Sequence, residues 1–221
     1  MWAIVPVKTF DRAKQRLANV LSESERRSLM LAMARDVLTC LSKCTKLTGT
    51  LIVSRATEAD ALAQAFNTER FTESPDANLA ESLYQATRYL VDHFQAQGVM
   101  VIPADVPGIQ PDELDRLITE HDQVTVLPDA ENIGTNGLIV SPPLIIPYVF
   151  DGQSFKPHVD AAFAAGVTPR IVPATAFALD IDLPQDLLEV CDRAPNSQTA
   201  NYLLKSGITD RISLSQSIHS G

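Results

Sequence analysis

Apolar residues along this chain fall into short runs that alternate with stripes at helical spacing. Trp2, Ala3, Ile4, Val5 and Val7 form an apolar run closed by Pro6 and Lys8, the pattern of a buried strand. After a loop from Lys8 to about Val20, Ser22 and Glu25 form a capping-box pair, and Met30, Met33, Val37, Leu38 and Leu41 mark the buried face of a long helix. The runs that follow predict a strand over residues 50–54, a helix over 59–66 and a short strand near Phe71. Asn78 and Glu81 repeat the N-cap pair with its reciprocal glutamate, and Leu79, Leu83, Ala86, Leu90 and Phe94 line a second long helix. Gly98 is expected to end it before a strand over residues 99–102.

Pro111 opens a further helix with Leu114, Leu117 and Ile118 inward, and a strand over 124–127 follows. Strand and helix in alternation predict an α/β fold: a Rossmann-like, mostly parallel sheet with helices on both faces. The rhythm then changes. Residues 128–137 read as a long polar loop, whose end, Gly134-Thr135-Asn136-Gly137, suits either a backbone shaped around a ligand or a simple turn. A short strand over 138–140 comes next, then a helix from an N-cap at Ser154 through Ala165, with Val159, Ala162 and Phe163 inward and Gly166 as its C-terminal cap. Ile171 and Val172 form a strand, residues 177–181 a last strand, and 184–190 a closing helix. The expected division is a single domain over 1–195 and a C-terminal helical and polar tail over 196–221.

Composition narrows the function. With 221 residues, 45% apolar, the chain suits one sizeable α/β domain. No apolar run approaches the roughly 20 residues that span a bilayer, and the start lacks a basic leader, so a soluble, cytoplasmic protein is expected. A net charge of -9 argues against nucleic acid or an anionic membrane as partner. Yet Lys8, Arg12, Lys14 and Arg16 crowd the first loop with only Asp11 against them, a local cluster suited to a small anion. Cys40, Cys44 and Cys191 read as core thiols.

Two acidic turns carry the candidate chemistry. The strand over 99–102 ends in Pro103-Ala104-Asp105-Val106-Pro107, and a second apolar run ends in Leu179-Asp180-Ile181-Asp182-Leu183-Pro184. A carboxylate at the carboxyl edge of an open α/β sheet sits where such folds bind ligands. The two turns can meet on one metal, or each Asp can merely cap its own turn. No Gly-x-Ser-x-Gly elbow, Walker loop, Gly-x-Gly-x-x-Gly or metal-ligand spacing of His93, His121, His158 and His219 is present. Basic loop, acidic turns and Gly-Thr loop together describe a metal-dependent site for a polyanion, of the kind phosphoryl or nucleotidyl transfer needs.

Ile4-Val5-Pro6-Val7-Lys8, Ala13-Lys14-Gln15-Arg16-Leu17, Pro103-Ala104-Asp105-Val106-Pro107, Gly134-Thr135-Asn136, Phe150 to Ser154 with His158, and Asp180-Ile181-Asp182 occur in this order. In these motifs the chain resembles the guanylyltransferase family of coenzyme F420 biosynthesis, from about Trp2 to Val190. The resemblance implies a nucleotide-diphospho-sugar transferase type of fold. It implies GTP as donor and a small phosphorylated carboxylic acid as acceptor: 2-phospho-L-lactate, phosphoenolpyruvate or 3-phospho-D-glycerate. A downstream transferase is the expected consumer of the product. It further implies Mg²⁺ on Asp105 and Asp182, with Asp180 the lesser member of the acidic pair, and Asp105, Asp182 and Lys14 as the catalytic set. The GTP phosphates would lie near Lys8, Lys14 and Arg16, and the acceptor near Thr135, Asp151, Gly152 and Ser154. Asp76, after the third strand, is the candidate to read guanine.

Two positions depart from the family's pattern. Asp151 stands where the family commonly has glycine, in Phe150-Asp151-Gly152-Gln153-Ser154. A negative charge beside an acceptor carboxylate favours a hydroxyl-bearing acceptor such as 3-phosphoglycerate over phosphoenolpyruvate. Leu79-Ala80 replaces a Leu-Asn pair and removes an amide that could contact the nucleotide. Two other readings stay open: a nucleotidyltransferase of the same fold acting on a molybdopterin, a sugar phosphate or an alditol phosphate, and a non-catalytic nucleotide-binding protein.

Overall fold

A computed structural model describes residues 1–8, 14–173 and 175–219, with side chains to 213. Arg12 and Asp11 of the basic loop lie outside the described residues. Seven strands form one sheet: β1 (Trp2–Pro6), β2 (Gly49–Ser54), β3 (Glu69–Thr72), β4 (Val99–Val101), β5 (Val124–Pro128), β6 (Thr135–Val140) and β7 (Arg170–Ile171). Their order is β3-β2-β1-β4-β6-β5-β7. β1 pairs in parallel with β2 and β4, β2 with β3, and β5 with β7. β6 alone runs against its neighbours, β4 and β5. Its start, Thr135, therefore lies at the edge where the other strands end.

Period-two alternation divides each strand between two cores. Ala3 and Val5, Ile52, Met100, Leu127 and Ile139 face one side, among helices α1 (Glu23–Lys43), α2 (Glu58–Phe66), α4 (Pro111–Thr119) and α6 (Pro184–Arg193). Trp2 and Ile4, Leu51 and Val53, Val99 and Val101, and Leu138 and Val140 face the other, against α3 (Leu79–Phe94) and α5 (Phe155–Ala164). The capping box of α1 is formed: Ser22 Oγ accepts from the Glu25 N–H at 3.3 Å and Glu25 Oε2 from the Ser22 N–H at 2.8 Å. Asn78 caps α3 through the Glu81 N–H at 3.0 Å.

Beyond Asn196 the chain forms α7 (Gln198–Lys205) and α8 (Ile208–His219), which takes in the stretch read as a polar end. Leu203, Ile208 and Ile212 join the first core, and Asp36 of α1 accepts the Gln198 and Thr199 N–H groups at 2.8 Å each. A carboxylate at these orphan donors caps α7 across 162 residues of sequence separation.

Several expectations are corrected. α3 ends at Gln95 in the left-handed region (φ 51°) and not at Gly98, which leads into β4. Residues 177–181 form no strand: Ala176–Ala178 is a 3-10 turn that buries Phe177, and the edge of β5 away from β6 is taken by β7. Phe163 faces solvent, at 58% exposure. The long loop at 128–137 is a β5–β6 hairpin, because Asp129 folds it: its carboxylate accepts the Ile133 and Gly134 N–H groups at 2.8 and 2.6 Å. Cys40 and Cys44 are buried and unbridged, as core thiols should be.

Candidate active site

A cleft of about 1240 Å³ opens along the strand-end edge of the sheet. Both acidic turns enter it and are tied directly, the Ile181 N–H donating to the Asp105 carbonyl at 3.1 Å. Lys14 closes the junction. Its ammonium donates to Asp105 Oδ2 at 2.6 Å and to Asp182 Oδ1 at 2.8 Å, with only 6% of its side chain exposed. The backbone at Lys14 is left-handed (φ 51°, ψ 48°), at a cost of about 1 kcal/mol for a residue with a Cβ. The two short ion pairs hold it there.

Burial opposes the Lys14 charge, but Asp105 and Asp182 outweigh it and raise the ammonium above its ordinary range. Burial likewise pushes the Asp182 carboxyl up, and Lys14, Arg16 and Lys8 reverse the balance and hold it low. Arg16, largely exposed, reaches Asp182 Oδ2 at 3.3 Å. Asp186 at the start of α6 fixes the turn by accepting the Asp182 and Leu183 N–H groups at 2.8 and 2.6 Å. Asp180 is set apart. Burial first and the neighbouring Asp105 next push its carboxyl up to about 6, against an Asn136 Nδ2 hydrogen bond at 2.9 Å.

At β6 the cleft changes character. His158, fully buried on α5, accepts the Val149 N–H at Nε2 (3.0 Å). The proton of the neutral ring then sits on Nδ1 and is donated to Thr135 Oγ1 at 3.0 Å. Burial lowers the His158 pKa to about 4, so the ring is neutral at physiological pH. Ser154 Oγ in turn accepts the Thr135 N–H at 3.0 Å instead of capping its own helix. Both hydroxyls accept from within the protein and line the cleft, so their own hydrogens are left to donate to a ligand. Two such donors side by side form a cradle for an anion.

Lys8, Lys14, Arg16, Asp105, Asp182, Thr135, Gly152 and Ser154 all line the cleft. Asp76 and Asp151 are not among its described lining residues. Asp76 is an exposed turn residue. Asp151 is also exposed, and its Oδ1 accepts the Gln153 N–H at 3.0 Å, so the carboxylate closes its own turn. Sequence reasoning passed over Glu73 and the parts played by Asn136 and His158, both of which it had named only as members of a motif. The His158 signal lay in its place four residues after Ser154 and that of Asn136 in the Gly134-Thr135-Asn136 motif; Glu73 lacked one.

Residues 1–219 match the family described as "Guanylyl transferase CofC like". The chain belongs to this family. Relatives include a 2-phospho-L-lactate guanylyltransferase of Methanobrevibacter smithii, 31% identical over 92% of this chain and 89% of that protein. Another is a phosphoenolpyruvate guanylyltransferase of Roseiflexus castenholzii, 34% identical over 94% of this chain and 97% of that protein. Among solved structures, a protein of Desulfovibrio desulfuricans described as a nucleotide-diphospho-sugar transferase shares the fold, with TM-score 0.79 at 18% identity and 96% of each chain covered. The chain is thus a guanylyltransferase-family nucleotidyltransferase with a Rossmann-like sheet. In this CofC-like chain, no three His, Cys, Asp or Glu side chains are grouped to hold a metal among the described residues. Two carboxylates do converge on one cation, the Lys14 ammonium.

Proposed function

We propose that the protein transfers GMP from GTP to the phosphate of a small phospho-carboxylate and releases pyrophosphate, as a cytoplasmic step of coenzyme F420 biosynthesis whose product passes to a downstream transferase. The observation that carries this reading is the cation-binding pair Asp105 and Asp182 beside the hydroxyl cradle of Thr135 and Ser154. The first suits a nucleotide triphosphate and the second a small anion.

In the reaction, an oxygen of the acceptor phosphate forms a bond to the α-phosphorus of GTP as the bond to the β-phosphate oxygen breaks. With a second pKa of about 6 the acceptor phosphate is largely dianionic at neutral pH, so it needs no general base. The protein's work is to overcome repulsion between two polyanions. Lys8, Lys14 and Arg16 neutralise the nucleotide phosphates and the departing pyrophosphate. Thr135 and Ser154 orient the acceptor, with His158 fixing the direction in which Thr135 donates.

Asp105 and Asp182 would hold a Mg²⁺ ion. The fit rests on their shared grip on the Lys14 ammonium and on their hard oxygen donors, since Mg²⁺ commonly takes one or two protein carboxylates with phosphates and water completing its shell. When bound, it supplies charge neutralisation on the phosphates. With the two carboxylates so engaged, the Lys14 ammonium would be available to a nucleotide phosphate.

Relatives are named for phosphoenolpyruvate and for 2-phospho-L-lactate. Asp151 closes its own turn but keeps its charge, which is felt at His158 behind the cradle, so 3-phosphoglycerate stands beside these two as a candidate acceptor. Pyrophosphate release is measured from GTP with Mg²⁺ and each of the three acceptors, with Asp105→Asn as control. Release with at least one acceptor, lost in the control, is the expected result. Silence with all three, from folded protein that binds GTP, would overturn the acceptor class.

A further inference from the structure

The cleft has two unlike ends on either side of the Lys14 junction. The β6 end presents hydroxyl donors; the β3 end presents Leu79 of α3 and one carboxylate, Glu73. We infer that Glu73 reads the N1–H and 2-amino edge of the guanine base, with Arg55 as its positioning residue. This rests on the reading of the cleft as a GTP site.

The geometry at Glu73 is built and not incidental. Glu73 directly follows β3, and its backbone N–H donates to the Ser54 carbonyl at 3.2 Å, extending the sheet contact one residue beyond the strand. The side chain is 12% exposed and faces the cleft. Arg55, just after β2, spreads its guanidinium over the turn: Nη1 donates to the Pro75 carbonyl at 2.7 Å, Nη2 to the Ala77 carbonyl at 2.9 Å, and Nε to Glu73 Oε2 at 3.4 Å. Two backbone carbonyls fix the planar fork, which meets the carboxylate through one long contact at Nε and so biases its direction. Among the described residues, no hydrogen bond is made to Glu73 Oε1. One oxygen is held by the protein, and the other, with the spare lone pairs of the first, is left to accept from a ligand.

The placement decides which part of the ligand meets it. The reacting phosphates belong at the centre, with Lys14 and the acidic turns, and the acceptor at the hydroxyl cradle. The remaining end must take the base, for which the half-buried Leu79 offers an apolar surface, backed by the buried Leu83. Guanine presents two adjacent donors, N1–H and the 2-amine, which a carboxylate can accept together. Adenine presents a lone pair at N1, which a carboxylate repels. Hypoxanthine keeps N1–H but lacks the amine, and xanthine replaces the amine with a carbonyl.

These differences supply the test. Binding of GTP, ITP and XTP, each with Mg²⁺, is measured by calorimetry on the wild-type protein and on Glu73→Gln. Wild type should bind ITP about tenfold or more weaker than GTP, because one hydrogen bond to a charged group is lost. In Glu73→Gln the amide can accept from N1–H and donate to the xanthine 2-carbonyl, so the ratio of XTP to GTP affinity should rise by about a hundredfold. A merely structural role for Glu73 would weaken all three nucleotides together. Equal binding of GTP and ITP by wild type overturns the inference even if the variant does not fold. GTP turnover with unchanged base ratios in Glu73→Gln overturns it and leaves the proposed function standing; failure of wild type to bind GTP overturns both.

Discussion

Lys14 between Asp105 and Asp182 at the centre of the cleft, and Thr135 with Ser154 over His158 at β6, are opposite ways to prepare a site for a polyanion. The centre is ionic, assembled from a loop and two turns separated by 91 and 168 residues in sequence. Its parts are charges that an incoming cation or phosphate can regroup. The β6 cradle itself is built from neutral groups: each hydrogen bond fixes the direction of the next, from the Val149 N–H through the imidazole to the Thr135 hydroxyl. Charge there would repel or over-bind a small acceptor, whereas oriented hydroxyls select it and release it.

Removing the ammonium should show the largest effect. Lys14→Met leaves two part-buried carboxylates facing each other, 24% and 40% exposed. Their contact with solvent and the Arg16 pair set the loss at the lower end of about 3–5 kcal/mol, the cost of breaking a fully buried pair. Thermal midpoints measured in EDTA should fall by that equivalent and recover with Mg²⁺ or Mn²⁺ above the wild-type gain. An unchanged midpoint would mean that Lys14 is not the cation standing in for a metal.

The neutral end should respond to acid. His158 has a pKa of about 4 in the folded protein against an ordinary 6.5, so the unfolded chain binds the proton more readily. Its contribution is complete above pH 6.5 and is lost as pH falls toward 4, by about 3 kcal/mol from one pKa unit being worth about 1.4. His158→Phe should remove that slope and cost about 2 kcal/mol at neutral pH, through the orphaned Val149 N–H. Denaturant midpoints across the pH range test both.

Smaller again is the loss of one hydroxyl. Thr135→Val should raise the acceptor KM about tenfold, the worth of one hydrogen bond to a charged group, while leaving the KM for GTP within about twofold. Equal changes in both would merge the two ends into one site. Asp151→Asn should do least: its carboxylate is exposed and screened by solvent, so the ranking of acceptors should stay within about twofold.

Much of the fold was legible because its signals are local. The strands β1, β2 and β4 announce themselves as β-branched runs, and the Ser22–Glu25 box and the stripe from Leu79 to Phe94 depend on neighbours within a turn or two. Pro111 and Pro184 start helices because their fixed φ suits a first turn. What misled were stretches whose partners are distant. Phe177 sits in an apolar run that reads as a strand, yet it fills the core from a 3-10 turn, with Asn136 donating to its carbonyl at 2.8 Å.

The sequence by itself determined the chemical inventory: a basic loop, two acidic strand-end turns and a Gly-Thr segment, in the order of their family. It also determined the α/β alternation, since periodicity is a property of adjacent residues. Only the tertiary structure decided how the inventory is used. Reversal of β6 carries Thr135 to the edge where the parallel strands end, because strand direction in a sheet is set by pairing and not by composition. Asp151 closes its own turn, Asp76 stands in solvent and Glu73 lines the cleft, because a side chain's role depends on which hydrogen-bond donors the rest of the chain brings within 3 Å or so of it.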